Sequence, residues 1–112
     1  MSNSVFQSVI VQLREISDRT FGVIDTEGCV VSCTDMSLLG ERWADAALKV
    51  SNASEGVVTF AQKSFKAIMG NSNYFEYAVF CTGDDEMAKS FCQVAYIALN
   101  DAKTFYEEKH DS

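Results

Sequence analysis

The sequence predicts an α+β domain in which three helices flank a five-stranded antiparallel sheet, in the order α-β-β-α-β-β-β-α. Three observations carry that prediction. Apolar residues recur at the helical period in three separate stretches. Between them lie two groups of β-branched and aromatic runs joined by short polar turns. Within each group no helical stretch links the strands, so their connections are hairpins rather than parallel crossovers.

Taken in chain order, Ser4 is placed to cap a first helix whose apolar positions are Val5, Phe6, Val9, Ile10, Leu13 and Ile16. Arg14, Glu15, Asp18 and Arg19 mark its wet side. Thr20–Asp25 and Cys29–Thr34 read as strands around Thr26-Glu27-Gly28, with Gly28 supplying a positive φ. A polar-then-apolar loop, Asp35–Gly40, leads to a helix over Glu41–Ala53 that buries Trp43, Ala46, Ala47 and Val50. Three further strands follow, over Val57–Gln62, Phe65–Met69 and Phe75–Thr82, with turns at Gln62-Lys63-Ser64 and Gly70–Asn73. In the last of them Phe75, Tyr77 and Val79 alternate with Ala78 and Phe80, so both faces are apolar. Asp84 or Asp85 caps the final helix, which runs to about Glu108. Its expected stripe is Met87, Phe91, Val94, Ala95, Ala98, Leu99, Ala102 and Phe105. About 25 residues make a helix of about 37 Å, twice the length of a typical strand. Its charged end therefore overshoots the sheet, either into solvent or toward another domain or a symmetry mate. The whole is a profilin-like or PAS-like arrangement.

A length of 112 residues suits one domain, and 47% hydrophobic residues suffice for one core. Sixteen Asp+Glu against nine Lys+Arg give a net charge of −7. Nucleic-acid binding needs a basic stripe that displaces counterions, so this chain is not expected to hold DNA by itself. No apolar run reaches the roughly 18–20 residues of a membrane span, and the first residues lack a secretory pattern. The expectation is a cytoplasmic protein without membrane contact. Its four cysteines, Cys29, Cys33, Cys81 and Cys92, then read as reduced, buried thiols. An extended Cys29-x3-Cys33 spans about 13 Å, too far for both sulfurs to reach one zinc ion. No metal or cofactor is expected.

Catalytic signals are sparse. The single histidine, His110, stands among charged residues near the C-terminal end, with nothing to orient it beside a nucleophile. Neither phosphate-binding glycine pattern occurs. The carboxylates Asp25 with Glu27, and Asp84-Asp85-Glu86, sit at a turn and at a helix start, where structural roles suffice. The chain reads as a non-enzyme. Two segments are candidates for a small ligand. Ser32, Thr34, Asp35, Ser37, Gly40, Arg42 and Trp43 gather hydroxyls, one guanidinium and the single tryptophan at a strand-to-helix junction. Arg42 is suited to fork a carboxylate and Trp43 to wall a pocket. Thr82 and Gly83, before Asp84, end a strand at a helix N-terminus that suits an anion, though Asp84 and Asp85 compete for its N–H groups.

The run Gly22-Val23-Ile24-Asp25-Thr26-Glu27-Gly28, continuing to Ser32-Cys33-Thr34-Asp35, resembles the "ID-x-x-G-hydrophobic-S-x-T-D" hairpin of sugar-diacid recognition domains. These open bacterial transcription regulators of the carbohydrate-diacid and purine-catabolism (PucR-type) group. Leu39-Gly40 and Thr82-Gly83-Asp84-Asp85-Glu86 fall where that family has "I-G" and "T-G-D-P-E", and the likeness runs from about Val5 to Phe105. It implies a sensory domain, residues 1–112, that binds a small molecule, forms a homodimer and meets DNA only through a C-terminal helix-turn-helix absent from these residues. Leu38 and Trp43 stand where the family has an Arg and a His, the expected partners of a dicarboxylate. The implied ligand is therefore an organic acid or a less polar metabolite, whose capture shifts the last helix. Roadblock-type domains share the element order and a similar hairpin, so a dimerisation or adaptor module without a ligand is the alternative. A small hydrolase or redox protein using the thiols is a third.

Overall fold

The computed structural model describes residues 3–53, 56–69 and 75–110. It contains α1 (Asn3–Gln12), β1 (Phe21–Asp25), β2 (Val30–Cys33), α2 (Ala44–Asn52), β3 (Val58–Phe60), β4 (Lys63–Met69), β5 (Phe75–Thr82) and α3 (Glu86–His110). The five strands form one antiparallel sheet in the order β2-β1-β5-β4-β3. The fold class and the element order are those the sequence predicts. The turn expected at Gly70–Asn73, Ser4 as a cap and the side chain of His110 lie outside what is described.

Each face of the sheet has its own apolar layer. Phe6 and Ile10 of α1 and Leu13 just after it, with Ala88, Cys92, Ala95 and Leu99 of α3, pack on Phe21, Val23, Ile68, Val79 and Cys81. On the opposite face, Ala46, Ala47 and Val50 of α2 cover Ile24, Val30, Phe65, Ala78 and Phe80. Central strands β1 and β5 are thus buried on both sides, which accounts for their nearly continuous apolar sequence.

Several expectations require correction. The bulge between Ile68 and Met69 pairs them with Tyr77 and Phe75 and leaves Glu76 extra. That added residue reverses the alternation, so Phe75 joins the α2 layer while Tyr77 and Val79 face α1 and α3. In α3 the buried stripe is rotated toward the small residues Ala88, Cys92 and Ala95, which let the helix lie close to the sheet. Met87, Val94 and Phe105 are instead 59%, 47% and 67% exposed. Ile16 is also exposed, because the helix tightens to a 3₁₀ turn at Leu13–Glu15 before reaching it. Helix α2 starts at Ala44 rather than Glu41, since Arg42 is extended and bridges Cys29. Arg19 leaves the wet side: its guanidinium donates to the Thr82 carbonyl at 3.1 Å and pairs with Asp85 at 3.1 Å.

The two sheet edges are finished differently. Along β2, Gly40 N–H donates to Val30 O, Val30 N–H donates to Glu41 O, and the Gln7 amide bonds both backbone groups of Cys33. That edge is closed. At the other, β3 pairs only inward with β4, and among the described residues no group bonds its outer backbone.

The β3–β4 turn consists of Ala61 and Gln62, with φ of 52° and 62°, rather than the expected Gln62-Lys63-Ser64. A two-residue hairpin with both central residues left-handed normally holds Asn-Gly, and other side chains cost about 1–2 kcal/mol each there. The double variant Ala61→Asn, Gln62→Gly should accordingly raise stability by roughly 1 kcal/mol or more in urea titration, with an unchanged slope.

Candidate functional site

A concavity of about 390 Å³ opens between the start of α2 and the β3–β4 hairpin, lined by Arg42, Trp43, Asp45, Phe60, Lys63 and Phe65 together with small Ala44, Ala46 and Ala61. Its back wall follows from two glycines. A Cβ on Gly22 would lie 2.4 Å from the Phe80 ring, so that ring occupies the place of a side chain on β1. Phe80 in turn meets Trp43 edge-on, with centroids 4.8 Å apart. Gly28, at φ 85°, accepts the Trp43 N–H at 2.8 Å, and a Cβ there would collide with the Trp43 carbonyl. The turn glycine of the first hairpin thus sets the backbone that enters α2.

Charge at the rim is mixed. Lys63 Nζ lies 4.8 Å from the centre of the Trp43 ring, a cation–π contact. Arg42 is largely exposed, with Glu27 4.0 Å away. The indole N–H of Trp43 donates to Glu41 at 3.0 Å, and no side chain caps α2. The cationic residues Arg42 and Lys63 and residues 44–46 of the first turn of α2 therefore line this concavity, with acidic Asp45 among them.

The remaining candidates are held elsewhere by their own bonds. Thr34 and Thr82 flank the start of β1, their hydroxyls accepting the N–H groups of Phe21 and Thr20 at 3.1 Å. Ser32 is buried in β2. Asp35 accepts from the Ser37 N–H and hydroxyl, at 3.1 and 2.6 Å, and these bonds hold its carboxyl below the usual range. Gly40, at φ 88°, serves the closed β2 edge. Met36 lines a separate shallow groove with Gln7, Val11, Val31 and Leu39. Of the nine candidate residues, only Arg42 and Trp43 line the concavity.

The start of α3 supplies its own anion. Asp85 accepts from the Ala88 N–H and pairs with Arg19. Partial desolvation raises its carboxyl, but the N–H groups of Ala88 and of Asp85 itself, with Arg19, outweigh this and leave it depressed. Gly83, at φ 108°, is held on both sides by the β3–β4 hairpin: its N–H donates to Gln62 O at 2.7 Å and its carbonyl accepts from the Ser64 hydroxyl at 2.8 Å. Sequence reasoning missed Lys63, Ser64 and Arg19. Counting back two residues from buried Phe65 would have found Lys63 on the Trp43 face.

Cys33, Cys81 and Cys92 are buried, whereas Cys29 is half-buried. Burial pushes the Cys81 and Cys92 thiols up to about 11 and about 12, which leaves them protonated and unreactive at neutral pH. Asp25, at the first turn, accepts from the N–H groups of Glu27 and Cys29. Among the described residues no group of three or more His, Cys, Asp or Glu is disposed to hold a metal ion, and no helix is long and apolar enough to cross a membrane. No family model and no curated protein matches the chain.

Two outcomes follow from this geometry. Gly22→Ala should displace Phe80, cost about 2–3 kcal/mol and change Trp43 emission, measured by fluorescence-monitored unfolding. The carboxyls of Asp35 and Asp85 are depressed by folding, so their contribution is full above the unfolded value of about 3.9 and is lost as pH falls below it. Asp35→Asn and Asp85→Asn should each flatten the acid limb of a stability-against-pH curve below about pH 4 and leave its neutral slope unchanged.

Proposed function

We propose that this chain is the ligand-sensing domain of a bacterial transcription regulator, cytoplasmic and without catalytic activity, whose DNA-reading part lies outside these residues. The observation that carries the reading is the concavity itself, with an aromatic wall of Trp43, Phe60 and Phe65 beside the cations Arg42 and Lys63 in an acidic chain. The guest suited to it is a small organic acid with an apolar or aromatic body. Its carboxylate meets Lys63 or Arg42, while the body lies against the aromatic wall. Asp45 opposes a second carboxylate, in keeping with the absence of the family's Arg and His at Leu38 and Trp43.

The route to α3 runs through the hairpin. Ala61 and Lys63 line the concavity, while Gln62 and Ser64, their neighbours, hold both backbone groups of Gly83 at the entrance to α3. A guest that moves the hairpin thereby moves the helix start. This two-sided coupling replaces the expectation that Thr82 and Gly83 themselves touch the ligand.

A specific observation favours the second reading, a roadblock-like dimerisation or adaptor module. The β2 edge is closed by Gln7 and residues 40–42, whereas β3 presents its outer backbone, a ready partner for another strand.

Titration of the single tryptophan's emission with benzoate, phenylacetate and a sugar diacid separates the two readings. Saturable quenching by the aromatic acids at micromolar to millimolar concentrations is expected, with Lys63→Ala weakening it about tenfold, or about 1.4 kcal/mol. Ser64→Ala should keep the affinity but lose the ligand-dependent change in amide exchange at Ala88 and Lys89. No response to any acid, together with a stable dimer, would favour the adaptor.

A further inference from the structure

We infer that the outward face of α3 is a docking surface for α3 of a second copy, in antiparallel orientation. Exposed residues along this helix include Met87, Ser90, Val94, Ile97, Asp101 and Phe105. Their spacings of three and four residues trace a seam on the side opposite buried Ala88, Cys92, Ala95 and Leu99. Met87, Val94, Ile97 and Phe105 are 59%, 47%, 52% and 67% exposed. That amounts to on the order of 400–500 Å² of exposed side chain, the size of the largest apolar patch on a typical monomer, which is often functional. With a polar rim it supplies the centre of the about 800 Å² that each partner gives to a stable dimer.

The pattern of the seam selects both the occupant and the direction. It is nearly palindromic about Tyr96: antiparallel pairing sets Met87 against Phe105, Val94 against Ile97 and Ala98, and Ser90 against Asp101. A two-fold interface requires this self-complementarity. Parallel pairing would place Asp101 against Asp101 and Glu86 against Glu86. In the antiparallel arrangement the two Asp101 residues are offset by about 15 Å along the axis, beyond the Debye length of about 8 Å, and each faces a serine hydroxyl. The helix dipoles also oppose rather than align. This surface lies on the α1–α3 side of the sheet, opposite the layer that holds α2 and the concavity, and stands independently of the ligand reading.

Sedimentation equilibrium and disulfide trapping test it. At tens of micromolar the chain is expected to be a dimer, and Ile97→Glu, at an exposed position, should yield a folded monomer by circular dichroism. In a Cys29→Ser background, Met87→Cys with Phe105→Cys should oxidise to a covalent dimer, whereas Met87→Cys alone should not. A monomeric wild type overturns the inference, as does a dimer that persists in Ile97→Glu, which would point to the β3 edge. Crosslinking of Met87→Cys to itself would overturn the antiparallel direction. Unchanged Trp43 quenching in Ile97→Glu is expected, so failure here and failure of ligand binding are read separately.

Discussion

The ring of Phe80 rests where a side chain of β1 would otherwise stand, and much of the candidate site depends on that contact. Gly22 leaves the space, Phe80 fills it from β5, and Trp43 packs edge-on against Phe80. Lys63 then lies over the indole, and the concavity is what remains between these groups and the hairpin. A close-packed interior transmits such a constraint because none of the rings can move without displacing the next. A glycine on a central strand thus shapes a site on a helix two connections later in the chain.

The sheet also joins its two layers. Along β5, Phe80 points toward α2 while Cys81 belongs to the layer under α3. At the end of that strand, Arg19 bonds Thr82 and Asp85 from one side, and Gln62 with Ser64 hold Gly83 from the other. The junction before α3 is consequently tied to the β3–β4 hairpin and to the segment entering β1. Two left-handed residues, Ala61 and Gln62, sit at the tip of that hairpin. Backbone held away from its preferred basin is a reservoir that packing must offset, and here it adjoins the wall of the concavity. The proposed sensing route uses these contacts and needs no further moving part.

Much of the architecture could be read from residue order. The periodicity of Phe6, Ile10 and Leu13 and the turn glycine at position 28 each reflect a local rule that tertiary context did not override. Local rules failed where two solutions were equally apolar. Helix α3 carries two stripes, and the one with small residues faces the sheet because it permits closer approach, leaving Met87 and Val94 outside. In β5 a single extra residue, Glu76, exchanged the faces of Phe75 and its neighbours. Thr34, Asp35 and Thr82 have the polarity of ligand contacts, yet each spends it on nearby backbone or a neighbouring serine.

By itself the sequence determined the fold class, the element order and the placement of Arg42 and Trp43 at a strand-to-helix junction, because period, turn chemistry and composition act locally. Tertiary structure alone decided which side chains meet. Lys63 comes under Trp43, Ser64 reaches Gly83, and Arg19 binds the far end of the sheet only because strands distant in sequence pair in a particular register. Register is set by the packing of whole faces, and no short segment of the chain contains it.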